Sequence, residues 1–169
     1  MNGAAALYLV RHAVAEDRAV WSGPDALRPL TPVGWRQAVA LAEQLGRSGV
    51  KACLSSPTVR CRDTLFPGAH SLGLAVEDDP MLFEDEEPRG RDAALQLLQR
   101  LLAHPAGPVA ACTHGNVLLP LLAALDDGSA SRCPKGGLWR VDSDPQGVPR
   151  GPATFLGRLD PQSLAWKGP

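Results

Sequence analysis

The stretch LYLVRHAVAEDR, residues Leu7–Arg18, starts as an apolar run and breaks at an arginine and a histidine. Ala5–Val10 has the composition of a buried strand, and such a strand gains nothing from ending in two polar side chains. A reaction centre does. The same pattern recurs downstream. Val50–Leu54 and Val109–Thr113 also read as strands, and they run into SSPTVR (Ser55–Arg60) and THGN (Thr113–Asn116).

Helix-like segments separate these strands. Thr31 before Pro32 reads as an N-cap with proline at the first helical position, opening a helix to about Arg47. Val39, Ala42 and Leu45 form its apolar stripe, and Gly46 and Gly49 supply stop signals. Ser56 and Pro57 repeat the cap-plus-proline device for a helix running toward Leu72. Leu74–Val76 is a short strand, Glu77–Gly90 an acidic loop, Ala93–Ala103 a helix, and Asn116–Leu125 another helix in spite of Pro120. Leu138–Val141 and Ala153–Leu159 read as two closing strands joined by the turn-rich Asp144–Pro152. Strands alternating with helices predict an α/β fold, a three-layer sandwich with a largely parallel central sheet, as a single domain over residues 1–169. Sites in such sheets form outside the carboxyl ends of the strands. Here those ends carry RHA, SSPTVR and THGN.

The 169 residues include 17 Lys and Arg against 18 Asp and Glu, a formal net charge of −1. That balance gives no electrostatic footprint for a nucleic-acid polymer and no polybasic membrane patch. Lysine occurs only at Lys51, Lys135 and Lys167. Residues 1–10 lack the pattern of a signal peptide and no apolar run is long enough to span a bilayer, so the expectation is a cytoplasmic protein. Cys53, Cys61, Cys112 and Cys133 form no CxxC pair and read as reduced thiols.

His12 falls just past the first strand, Arg60 in the first turn of the helix after the second, and His114 just past the fourth. With Arg11 and two helix N-termini, they frame a site for a dianionic phosphoryl group. Histidine attacks phosphorus when one ring nitrogen is unprotonated; the other then donates to an acceptor, usually a nearby carbonyl, which fixes the tautomer. Surrounding cations are expected to keep His12 neutral. Arg11 and Arg60 would neutralise the phosphoryl oxygens. Cysteine chemistry fails a direct test. A cysteine phosphatase needs arginine six positions after the nucleophile, and those positions hold Val59, Pro67, Leu118 and Trp139. No ligand spacing supports a metal site or a cofactor.

At these residues the sequence resembles the histidine phosphatase superfamily, the phosphoglycerate mutase-like proteins. Arg11-His12-Ala13 matches an Arg-His-Gly signature with alanine for glycine; SSPTVRCRDT, Ser55–Thr64, matches a turn followed by arginine and threonine. THGNVL, Thr113–Leu118, matches a histidine before glycine, and LTPVGWRQA, Leu30–Ala38, a Leu-Thr-x-x-Gly-x-x-Gln-Ala pattern. The resemblance covers residues 6–118 in order. The short chain is similar to the compact branch of SixA-type phosphohistidine phosphatases, and Trp21–Gly34 to the phosphatase domain attached to some Nudix (MutT-type) hydrolases, with no Nudix domain expected ahead of it here.

The resemblance implies a metal-independent phosphatase working through a phosphohistidine at His12, with Arg11, Arg60 and His114 on the phosphoryl oxygens. It also implies a general acid, Glu84, in Leu82-Phe83-Glu84; Asp85 is a weaker candidate, because Glu84–Glu87 is an acidic run of the kind usually solvated. Trp21 and Arg28 are loop residues suited either to contact substrate or to pack the loop. Thr64, one turn past Arg60, suits a supporting role, and Arg62 reads as solvated. The implied partner is a phosphohistidine protein or a phosphorylated small molecule such as a nucleotide. A silent phospho-binding module is the rival class, and intact His12 argues against it. Oligomeric state is left open.

Overall fold

The computed structural model describes residues 6–84, 87, 89–126 and 132–169. Its strands are β1 (Ala6–Arg11), β2 (Ala52–Ser55), β3 (Val76–Asp78), β4 (Val109–Thr113), β5 (Leu138–Asp142), β6 (Thr154–Leu159) and β7 (Trp166–Lys167). The helices are α1 (Pro32–Gly46), α2 (Val59–Ser71), α3 (Arg91–Leu102) and α4 (Gly115–Leu125). The sheet has seven strands in the order β3-β2-β4-β1-β5-β6-β7. β3, β2, β4 and β1 pair in parallel, and the β5–β7 end is added through antiparallel pairings. The mostly parallel sandwich expected from the sequence is therefore present. The antiparallel edge includes β7, a two-residue strand too short to leave a signal.

Alternation along β1 divides the core. Leu7 and Leu9 point into a cluster with Leu97, Leu98 and Leu101 of α3 and Leu118, Leu121 and Leu122 of α4. Tyr8 and Val10 point to the opposite face, into a cluster with Leu41 and Leu45 of α1 and Cys61 and Leu65 of α2. The central strands are covered on both faces, which is why they read as continuous apolar runs rather than alternating ones. No helix among the described residues is long and apolar enough to cross a membrane.

Three local expectations need correction. In α1 the buried stripe is Gln37, Ala38, Leu41 and Leu45, and Val39 is 55% exposed. The sheet and α2 approach α1 from a direction that periodicity alone does not give. The helix after β2 begins at Val59, not at Pro57, with Thr58 at its N-cap. Ser56 lies before the cap, and its hydroxyl meets a histidine, described below. The third strand is Val76–Asp78 rather than Leu74–Val76, because β3 extends alongside β2 up to Ser55.

The LTPVGWRQA segment fastens α1 to the chain leaving β1. Thr31 caps the helix by accepting from the Gly34 N–H at 3.1 Å. Its own N–H and hydroxyl donate to the Val14 carbonyl at 3.0 and 3.1 Å. The Gln37 side chain accepts from the Val14 N–H at 2.9 Å and donates to the Leu159 carbonyl at 3.0 Å. Gly34 lies so close that a Cβ there would sit 2.0 Å from the Val14 oxygen. Gly34→Ala is therefore expected to lower the unfolding free energy by about 3 kcal/mol, since backbone must move to admit the methyl. Urea denaturation of the variant checks this, and an unchanged midpoint would contradict the packing.

Candidate active site

The site stands on the register of three neighbouring strands. Arg11 of β1 lies opposite Thr113 of β4, and Cys112 of β4 lies opposite Ser55 of β2. The ladder continues one step past each strand. His12 N–H donates to the Thr113 carbonyl at 3.0 Å, and Ser56 N–H donates to the Cys112 carbonyl at 3.0 Å. His12, Ser56 and His114 consequently leave the sheet at one level. After β1 the chain crosses to α1 on one face, and after β4 to α4 on the other, so a crevice opens between them.

His12 is 6% exposed. Its Nδ1 lies 2.8 Å from the Ala13 carbonyl, which can only accept, so Nδ1 carries the proton and Nε2 keeps its lone pair. Ala13 is itself fixed, because its N–H donates to the Thr64 hydroxyl at 2.9 Å and that hydroxyl donates to the Arg60 carbonyl at 2.6 Å. The supporting place expected for Thr64 is where the structure puts it. Burial lowers the His12 pKa from 6.5 to about 2; the Ala13 hydrogen bond opposes this, and His114, Arg60 and Arg11 add to it. The sequence reading credited the cations alone. Loss of water is the larger cause.

Arg60, His114 and Glu84 come together as expected. Arg60 is 1% exposed, and its Nη2 lies 2.9 Å from Glu84 Oε2 and 3.3 Å from His114 Nδ1. A guanidinium only donates, so His114 Nδ1 accepts and its Nε2–H donates to Ser56 Oγ at 2.8 Å. The His12 and His114 rings meet edge to face with centroids 5.4 Å apart. Glu84 is placed from the far side of β4. Asp79 N–H donates to the Ser55 carbonyl, the 3₁₀ turn Pro80–Leu82 follows, and Thr113 Oγ1 donates to the Leu82 carbonyl at 2.7 Å. Asp85 lies outside the described residues.

Arg11 flanks His12 from the other side. Its Nη1 donates to the Cys133 carbonyl, and its guanidinium lies over Gly115, where a Cβ would come within 3.0 Å of Arg11 Cζ. The glycine after His114 thus leaves room for that arginine. Arg11 and His12 line a cavity of about 900 Å³ together with Arg18, Arg28, Glu84 and Lys135. Trp21 lines the adjoining recess with Phe83 and Asn116, its indole N–H donating to the Pro24 carbonyl at 3.0 Å. Arg28 borders the cavity but is buried, with Nε on Asp25 at 3.0 Å and Nη1 on the Glu16 carbonyl at 2.6 Å. Arg62 pairs with Asp78 at the surface, as a solvated arginine should.

Sequence reasoning missed Asp25, Arg18, Ser56 and Lys135. Asp25 gathers Arg60 at 3.0 Å, Arg28 at 3.0 Å and Arg18 at 3.2 Å. Its carboxyl is held below the usual range by the Arg28 hydrogen bond and the charges of Arg60, Arg28 and Arg18, which outweigh its partial desolvation. The i, i+3 spacing of Asp25 and Arg28 was a readable signal for that pair. Nothing in the sequence connects either residue to Arg60.

The model of the "Histidine phosphatase superfamily (branch 1)" matches residues 7–86. A curated relative, the 8-oxo-(d)GTP phosphatase of Mycolicibacterium smegmatis, is 34% identical over 114 residues. That match takes in 68% of this chain and 35% of the relative, so the chain spans about a third of that protein's length. Among solved structures, the protein histidine phosphatase SixA complexed with tungstate aligns with a TM-score of 0.72 at 22% identity, covering 95% of this chain and 99% of that one. A mycobacterial glucosyl-3-phosphoglycerate phosphatase aligns at 0.67 with 20% identity, covering 90% and 97%. At these identities the two structures establish the fold.

The burial of His12 has a consequence for stability. An unfolded histidine near pKa 6.5 binds protons that the folded one refuses until about 2, so stability falls as pH drops below 6.5. At pH 5.0 the loss is about 2 kcal/mol from this residue, at roughly 1.4 kcal/mol per unit. Chemical denaturation of wild type and His12→Gln at pH 7.5 and 5.0 measures it. The wild type should lose about 2 kcal/mol more than the variant, and equal losses would contradict the assignment.

Proposed function

We propose that the chain works as a member of the histidine phosphatase superfamily, whose model matches residues 7–86, and that it hydrolyses phosphate monoesters or phosphoramidates through a phosphohistidine formed on His12. The observation that carries the reading is the Nδ1 bond to the Ala13 carbonyl, which leaves a neutral ring with a lone pair on Nε2. In the first step that lone pair forms the N–P bond while the bond from phosphorus to the leaving oxygen breaks, and the leaving oxygen takes a proton from Glu84. In the second, water attacks phosphorus and gives a proton back to Glu84, the N–P bond breaks, and phosphate departs with His12 regenerated. Arg11 and Arg60 hold the phosphoryl oxygens in both steps, with their positions set before charge develops, and His114, which accepts from Arg60 at Nδ1 and donates to Ser56 at Nε2, positions that arginine. For the oxygens to reach Arg60 they must compete with the carboxylates of Glu84 and Asp25, which occupy its Nη2. The chemistry asks for no metal, since guanidinium groups supply the positive charge that metal ions supply in other phosphoryl-transfer sites.

For substrate we favour the terminal phosphate of a nucleotide. The 34% identity to an 8-oxo-(d)GTP phosphatase supports it, as does a recess with an aromatic face at Trp21 and Phe83 beside the cationic cavity. Trp21 would contact the base, while Arg28 acts on the substrate through charge and through Asp25. A phosphohistidine on a protein is the second reading, resting on the fold shared with the protein histidine phosphatase SixA over 95% of this chain.

His12→Ala should lower kcat on p-nitrophenyl phosphate by at least about a thousandfold, the scale for a lost nucleophile. A variant retaining a tenth of the activity would refute the mechanism. Wild-type turnover should be the same with and without EDTA, and a loss restored by zinc or magnesium would contradict the metal-free route. Steady-state kinetics on a nucleoside triphosphate and on a phosphohistidine protein decides between the substrates. Trp21→Ala should reduce kcat/KM on the nucleotide more than on p-nitrophenyl phosphate.

A further inference from the structure

We infer that Lys135 is a specificity-determining residue that takes a second phosphate of the substrate, so that the site prefers leaving groups beginning in a phosphate, the phosphoanhydrides. The inference deepens the phosphatase reading above and rests on it. No motif of the sequence pointed to this lysine.

The backbone around Lys135 is fastened to the step that carries Arg11 and His12. Gly136 N–H donates to the carbonyls of Arg11 and His12 at 3.2 and 3.1 Å, and Arg11 N–H donates to the Gly137 carbonyl at 3.1 Å. The Cys133 carbonyl accepts from the Arg11 side chain, and the Lys135 carbonyl accepts from Gln37 at 3.3 Å. Gly136 makes the turn at φ +71°, where a side chain would also run into Gln37. A half-buried lysine is thus held on a rigid turn at the wall of the cavity that His12 lines.

Its ammonium differs from the other cations of the cavity wall in its partners. Arg18 is paired with Asp25 and Glu84, Arg28 with Asp25, and Arg60 with both carboxylates. The Lys135 ammonium makes no hydrogen bond or ion pair among the described residues. Burial, Arg11 and Arg28 all act against its charged form, with Asp17 opposing them. A cation placed among cations is unfavourable until an anion arrives. Lysine serves as a point charge toward phosphate.

The position selects among substrates. The turn leads into β5, which flanks β1 on the side away from β4, whereas Arg60, Glu84 and Asp25 gather on the β4 and β2 side. His12, Glu84 and Lys135 line one cavity, so a leaving oxygen that takes its proton from Glu84 can carry its next substituent to the Lys135 ammonium on the other wall. In a phosphoanhydride that is another phosphate. In a phosphohistidine it is an imidazole, to which an ammonium offers nothing.

The test compares wild type, Lys135→Ala and Lys135→Arg on a nucleoside diphosphate, 3-phosphoglycerate and p-nitrophenyl phosphate. Lys135→Ala should lower kcat/KM for the diphosphate by about tenfold or more, the scale of a lost charge-assisted contact. Activity on p-nitrophenyl phosphate and on 3-phosphoglycerate should change far less, and Lys135→Arg should recover most of the loss. An equal fall on all three substrates, or a fall confined to 3-phosphoglycerate, overturns the assignment. Calorimetry with inorganic phosphate and a non-hydrolysable α,β-methylene nucleoside diphosphate separates this claim from the phosphatase reading. If the wild type turns over nothing, the phosphatase reading fails. The lysine assignment then stands or falls on whether Lys135→Ala weakens the diphosphonate while leaving phosphate affinity unchanged.

Discussion

The parallel pairing that sets Arg11 opposite Thr113, and Cys112 opposite Ser55, is the constraint on which the rest depends. Because the ladder runs on through His12 and Ser56, two segments far apart in sequence arrive beside His114 at one height above the sheet. A slip of one residue in either pairing would turn the polar ends into the core and bring apolar side chains to the crevice. Side-chain fit resists that slip, since Leu7 and Leu9 are packed into one core cluster and Tyr8 and Val10 into the other, and an exchange would misfit both. Core packing and site geometry are here the same fact.

Electrostatics at the crevice is organised around a buried guanidinium. Arg60 is held from several directions by Asp25, Glu84 and the Asp25 carbonyl, which compensates a charge that would be costly alone. The same carboxylates keep Arg18 and Arg28 in place. His12 is protected differently. Its ring bond to the Ala13 carbonyl fixes the tautomer, while burial keeps it neutral. Separating the paired cations from a neutral nucleophile lets one small crevice contain both.

The strand–helix alternation and the polar residues at strand ends were legible because both are local. Periodicity and caps mark the elements, and breaks such as Val10 to Arg11 mark the site. LTPVGWRQA was legible as a pattern but not as a mechanism. Only the structure explains why Gly34 and Gln37 occur where they do, through contacts with Val14 and Leu159. Val39 was misplaced for the related reason that the direction of burial is a tertiary property. Ser56 looked like a helix cap, and it bonds a histidine 58 positions away. Asp25 and Lys135 were invisible because their partners, Arg60 and the Arg11–His12 step, are distant in sequence and no local spacing encodes the approach.

Trapping the covalent intermediate tests the central claim most directly. Protein mixed with a labelled phosphate ester and quenched during turnover should carry label that is stable in base and lost in acid, and peptide mapping should place it on His12. Label on cysteine, serine or aspartate, or an acid-stable adduct, would contradict the account of how this site works.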